Sequence, residues 1–147
     1  MSHNIRQKLQ GIQSSLRAPK GQTNKFGGYK YRSCEDILTA LKPLLAQYTC
    51  TLAISDDIVE VGGRVYVKST ATLASTSCEG DDAVSTSGFA REAETKKGMD
   101  DAQITGSASS YARKYALNGL FAIDDTKDPD ATNDHGKSAP KKQVTQF

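Results

Sequence analysis

The sequence predicts an α+β domain, an antiparallel three-stranded β-meander with helices packed on it. Three observations predict this. Two β-rich runs, residues 51–61 (TLAISDDIVEV) and 64–74 (RVYVKSTATLA), flank a Gly62-Gly63 pair, which is the signal of a tight hairpin. A third run, residues 83–89, follows after a polar break. Apolar residues at helical spacing precede and follow the strands.

The elements can be justified in order. Ile5, Leu9, Ile12 and Leu16 step by four, three and four, which makes a narrow helical stripe over residues 4–16. Such a helix docks on another element or on a neighbouring subunit, and residues 1–17 are a candidate oligomerisation element. Residues 18–33 hold Pro19, Gly21, Gly27 and Gly28 and read as a long loop. Ser33 is placed to cap the next helix, with Asp36 near its positive end. Ile37, Leu38, Leu41, Leu44, Leu45 and Tyr48 follow on that helix, and Pro43 predicts a kink or a second short turn. Residues 92–101 are charged and read as a loop. Asp100 or Asp101 then caps a final helix, with Gly119 as its C-terminal glycine. From Thr126 the chain is polar and carries three Pro or Gly residues and one valine, the composition of a disordered tail. The domain proper is therefore expected over residues 18–125.

The chain of 147 residues has a net charge of +2, but the charge is unevenly spread. Residues 1–33 contain Arg6, Lys8, Arg17, Lys20, Lys25, Lys30 and Arg32 and no acid. That block suggests a polyanionic partner or a solvated basic face. Cys34, Cys50 and Cys78 form no CxxC pair, which points away from a disulfide framework and toward a reducing compartment. No run approaches the roughly 20 apolar residues of a membrane span.

Covalent chemistry finds little support. The two histidines, His3 and His135, lie near the ends, where catalytic geometry is hard to hold. Zinc-ligand spacing is absent. Gly136-Lys137-Ser138 resembles the end of a phosphate-binding loop, but position 131 is Ala where that loop needs Gly. No metal or cofactor is expected. The acid pairs Asp56-Asp57, Asp81-Asp82, Asp100-Asp101 and Asp124-Asp125 leave a metal-dependent nuclease as an alternative. Neighbouring residues on a strand face opposite ways, however, so one pair does not make one site. A non-catalytic adaptor whose basic loop binds acidic protein is the other alternative.

Two stretches carry the positive case. Residues 25–32 (KFGGYKYR) interleave cations with aromatics, which suits phosphates and unstacked bases. Residues 106–121 (GSASSYARKYALNGLF) form a helix with two faces. Ile104, Ala108, Tyr111, Ala112, Tyr115 and Ala116 fall on a side expected to pack. Gly106, Ser109, Ser110 and Arg113 fall on a small, polar, cationic side bordered by Lys114. No acid lies between Gln103 and Gly119, so neither cation has a partner nearby in sequence.

Residues 24–45 (NKFGGYKYRSCEDILTALKPLL) and 106–125 (GSASSYARKYALNGLFAIDD) resemble the two hallmark segments of the ERF family of phage single-strand annealing proteins. The acidic stretch departs from the family pattern, since Thr126-Lys127 interrupts it before Asp128 and Asp130. The resemblance implies a Rad52-like β-β-β-α core assembled into rings or helical filaments. It implies ATP-independent binding of single-stranded DNA and annealing of complementary strands in the host cytoplasm, as a positioning task without enzymatic chemistry. The expected DNA-binding residues are Lys25, Lys30, Arg32, Arg91, Lys96, Lys97, Arg113 and Lys114, with Arg64 and Lys68 as lesser contributors. A host single-strand-binding protein or a phage exonuclease are candidate partners of the tail.

Overall fold

A computed structural model describes residues 4–23, 30–76, 82–94 and 98–123, without the side chains of residues 22, 30 and 31. The element order is α1 (Ile5–Ser15), β1 (Gln22–Thr23), β2 (Lys30–Tyr31), α2 (Cys34–Tyr48), β3 (Cys50–Val61), β4 (Arg64–Ser75), β5 (Ala83–Arg91) and α3 (Asp101–Phe121). The α+β class is as the sequence predicts. The long loop differs from expectation, because it holds a short antiparallel β1–β2 pair. Strands of two residues are too short to leave a periodic signal.

Local chemistry sets the helix starts. Asn4, Ser33 and Asp100 each accept a hydrogen bond from the third helical residue, whose own side chain accepts from the cap backbone. All three helices thus begin with a reciprocal capping box. Of the two aspartates open as caps for the final helix, Asp100 takes the role. Pro43 lies inside α2, yet the assigned helix continues through it to Tyr48. Gly119 is not the C-terminal glycine of α3. The helix runs on to Phe121 and ends at Ala122 in the left-handed region (φ 54°). Gly119 serves close packing instead, since a Cβ there would stand 2.9 Å from Thr86 Cγ2.

The meander is a three-stranded antiparallel sheet in the order β3-β4-β5. The β3–β4 ladder runs from Cys50↔Ser75 to Val61↔Arg64, and β4–β5 from Ala74↔Ala83 to Tyr66↔Arg91. Gly62 and Gly63 both have positive φ, 59° and 77°, as a twist-matched two-residue hairpin turn requires. Helix α3 lies on β4 and β5. Its close approach is made at Gly88, where a Cβ would stand 2.5 Å from both the Ala112 carbonyl oxygen and the Ala116 amide nitrogen.

The main core joins Ile5, Ile12 and Leu16 of the N-terminal segment to Ile37 and Leu41 of α2, Leu73 of β4, and Leu117, Leu120 and Phe121 of α3. Helix α1 therefore docks within its own protomer. Lys8 shares the buried side of α1, only 8% exposed. Its Nζ donates to Thr49 Oγ1 at 2.8 Å and Ser75 Oγ at 2.9 Å, pinning α1 to the junction of α2 and β3 and to the end of β4. This corrects the basic block read from the sequence, because Lys8 contributes no surface charge.

The opposite face of the sheet carries no described helix. Its middle rows are small and hydroxylated, with Thr70–Ser87 and Thr72–Ser85 side-chain hydrogen bonds of 2.8 Å. Toward the hairpin, Lys68 stands 5.9 Å from the centre of the Phe89 ring.

Candidate functional site

The chemistry concentrates on α3 and what it touches. Residues 109 and 113 are four apart, hence on one flank of the helix. That flank faces Asp56 of β3. The Asp56 carboxylate accepts from Ser109 Oγ at 2.6 Å and from Ser69 Oγ at 2.6 Å. It also accepts from Arg113 Nε at 3.3 Å to each oxygen and from Nη2 at 3.2 Å. The Arg113 side chain stays 40% exposed and that of Asp56 24%. Burial pushes the Asp56 carboxyl up, but hydrogen bonds from Ser109, Ser69 and Arg113, with the guanidinium charge, outweigh it and hold the group below its ordinary value.

Arg113 has no acidic partner nearby in sequence, as expected, but the fold supplies one from 57 residues away. Strand alternation explains why Asp56 and not Asp57 takes the role. Asp56 is paired with buried Ser69 on the face beneath α3, while Asp57 pairs with Lys68 on the other face. The two carboxylates thus point apart. Among the described residues, no group of three or more His, Cys, Asp or Glu could hold a metal ion.

On the side of α3 away from the sheet, a cavity of about 190 Å³ is lined by Arg32, Ser33, Cys34, Glu35, Ser110, Tyr111 and Lys114. It lies at the start of α2. Both cations are nearly buried, Arg32 at 9% exposure and Lys114 at 3%, and Arg32 Nε donates to the Ala18 carbonyl at 2.8 Å. Lys114 is therefore a cavity-wall residue rather than a border of the solvent face. Burial, then Glu35, pushes the Cys34 thiol up, which keeps it protonated and unreactive near neutral pH.

The tyrosines of α3 also depart from expectation. The buried track is Ile104, Ala108, Ala112, Ala116 and Leu120. Tyr111 and Tyr115 stand on its rim, 41% and 38% exposed, with ring centroids 6.2 Å apart. They are half-open aromatic surfaces, not core.

The expected DNA-binding residues do not form one cluster. Arg32 and Lys114 share the cavity, and Arg113 holds Asp56 on the other flank. Arg91 ends β5 with an exposed side chain. It shares strand parity with Phe89, so it projects from the sheet face opposite α3. Arg91 and Arg64 line a polar recess beside the hairpin turn together with Glu92 and Glu94. Lys25, Lys96 and Lys97 lie outside the described residues, as do the aromatics Phe26 and Tyr29 and the whole tail from residue 124; Lys30 is placed by its backbone in β2. No described helix is long and apolar enough to cross a membrane.

Comparison with known proteins agrees with the two-motif resemblance. The family model described as ERF superfamily matches residues 5–146. The chain is 56% identical over 147 residues to the Essential recombination function protein of Salmonella phage P22, covering 98% of this chain and 68% of that one. No solved structure matches.

Proposed function

We propose, since this chain belongs to the ERF superfamily, that it binds single-stranded DNA and anneals complementary strands without a nucleotide during phage homologous recombination. The recombination role is supported by the name of the phage P22 relative. The single structural observation that carries the binding reading is the Ser109–Arg113 flank of α3. Two donors one helical turn apart converge there on a carboxylate, that of Asp56. Small residues, Gly106 and Ser109, leave room for an extended backbone to come close.

In this reading the α3 flank takes phosphates and the half-exposed Tyr111 and Tyr115 offer faces to unstacked bases. Lys25, Lys30, Lys96 and Lys97 are the further cations of this reading, Arg32 and Lys114 line the neighbouring cavity, and Arg91, on the opposite sheet face, lies off the α3 path. Annealing then needs positioning only, with one strand's backbone held and its base edges left open to a second strand. The β3-β4-β5-α3 order supports reading the core as a Rad52-like β-β-β-α unit. Strands β3 and β5 are the two edges of the sheet, and copies assemble side by side along them into a ring or filament, with α1 assisting. Avidity over many protomers turns modest contacts into stable binding. The tail meets a host single-strand-binding protein or a phage exonuclease.

Affinity for a fluorescent oligo-dT, measured by anisotropy across a salt series, tests the binding step. Phosphate neutralisation predicts that log affinity falls linearly with log salt, by about 0.7 per phosphate contacted on a single strand. A salt-independent affinity, or no binding at all, contradicts it.

A further inference from the structure

We propose that Asp56 is a built-in stand-in for a strand phosphate: it occupies the Ser109–Arg113 cradle in the free protein and yields Arg113 when DNA arrives. The inference rests on the single-strand-binding reading and gives Asp56, the anion already held there, a part in it.

Three features of the geometry point to exchange. The bonds to Arg113 are the long ones, 3.2–3.3 Å, where charge-assisted N–H···O bonds ordinarily run about 2.7–2.9 Å. The bonds from the two serine hydroxyls are short, 2.6 Å each. Arginine is thus the loosely held member of the cluster. Second, Asp56 is not stranded when Arg113 leaves. Ser69 is fully buried and belongs to β4, so it stays with Asp56 whatever α3 binds. A carboxylate with that anchor and partial solvent access can lose its cation without becoming an orphaned buried charge. Third, Arg113 is ready for a second anion before it lets go of the first. Only Nε and Nη2 are engaged, and Nη1 has no hydrogen bond among the described residues. A phosphate can dock on the Nη1 side, and Ser109 Oγ can follow as the guanidinium turns.

The exchange has a consequence for binding. Each protomer must break an Arg–carboxylate contact to make an Arg–phosphate contact, so Asp56 lowers affinity and filters weak anions. A polyanion engaging many protomers overcomes this; a lone phosphate does not.

The experiment compares wild type, Asp56→Asn, Arg113→Ala and the double variant for oligo-dT affinity at fixed salt. Asparagine keeps an acceptor for Ser69 and removes the charge. The proposal expects Asp56→Asn to bind tighter by on the order of two- to five-fold, the range of an exposed ion pair, and Arg113→Ala to bind more weakly. It further expects the gain from Asp56→Asn to vanish when Arg113 is Ala. Loss of a negative charge acting only through the overall field would persist in that background, and persistence overturns the proposal. So does an Asp56→Asn variant that binds like wild type or more weakly, which would make Asp56 a support for Arg113. Absence of oligo-dT binding by wild type instead refutes the single-strand reading itself, so the two failures are distinct. If Asp56→Asn does not fold, the wild type carries the test by nuclear magnetic resonance. The Arg113 Nε–H signal, assigned by its loss in Arg113→Lys, must shift when oligo-dT is added; an unmoved signal overturns the exchange.

Discussion

Replacing Gly88 with alanine probes the contact on which the helix layer rests. A Cβ at this position would meet the Ala112 carbonyl oxygen and Ala116 amide nitrogen at 2.5 Å and Tyr115 Cβ at 2.8 Å. Ordinary contact begins near 3.4 Å, so the shortfall is 3.4 − 2.5 = 0.9 Å. Two of the three obstructing atoms are helix backbone, which cannot rotate away. Helix α3 must therefore retreat by about 1 Å, opening a gap along Ala112 and Ala116, both fully buried. A gap of that size forfeits about a quarter to a half of each affected dispersion contact, and overpacking of this kind costs about 1–3 kcal/mol. Alanine recovers a little by reducing unfolded-chain entropy. We expect a net loss of about 2 kcal/mol and a fall in thermal midpoint of about 5–10 °C. Circular dichroism melts of the folded variant, with urea titration to check that the slope is unchanged, measure both. A midpoint equal to or above wild type refutes the close packing of α3 on β5.

Other substitutions test other parts of the account. Gly106→Ala should do the opposite of Gly88→Ala, because nothing lies within 4 Å of a Cβ there and the residue is inside a helix; a gain of about 0.5–1 kcal/mol in urea unfolding is expected, and a loss contradicts the open face. Lys8→Ala should destabilise by about 1–3 kcal/mol by removing the donor that joins Thr49 and Ser75, with Lys8→Met milder because it fills the space; a neutral Lys8→Ala contradicts the tether. The Asp56 carboxyl lies below its ordinary value in the folded chain. Its contribution is therefore present above the unfolded-state value near 3.8 and is lost as pH falls through the folded one. The urea midpoint difference between wild type and Asp56→Asn should shrink from pH 5 toward pH 2; a constant difference contradicts that sign.

Much of this molecule is legible because its signals are local. Ser33 with Asp36 marks the start of α2, Gly62-Gly63 marks the hairpin, and alternation separates Asp56 from Asp57. The Ser109–Arg113 pair was visible as one polar flank of a helix. Its partner was not, because only the β3–β4 register and the docking of α3 bring residue 56 to residue 113. Gly119 misleads for a related reason: a glycine near a helix end looks like a cap, and only the tertiary contact with Thr86 reveals a packing role. Tyr111 and Tyr115 read as packing residues because an i, i+4 track of alanines lies beside them, and the phase alone does not choose which neighbours the sheet covers. Lys8 did leave a trace. It stands three residues after Ile5 and four before Ile12, within the apolar stripe, and a lysine there must be buried with acceptors or break the stripe.

In the proposed function the chain pairs complementary single strands by holding them. The most direct test mixes two complementary oligonucleotides, each pre-coated with the full chain, in the absence of any nucleotide, and follows duplex formation by loss of donor fluorescence. Annealing is expected well above the protein-free rate, without ATP and without shortening of either strand, and reduced in Arg113→Ala. A rate equal to the protein-free control, or strand shortening that requires a divalent metal, would contradict it.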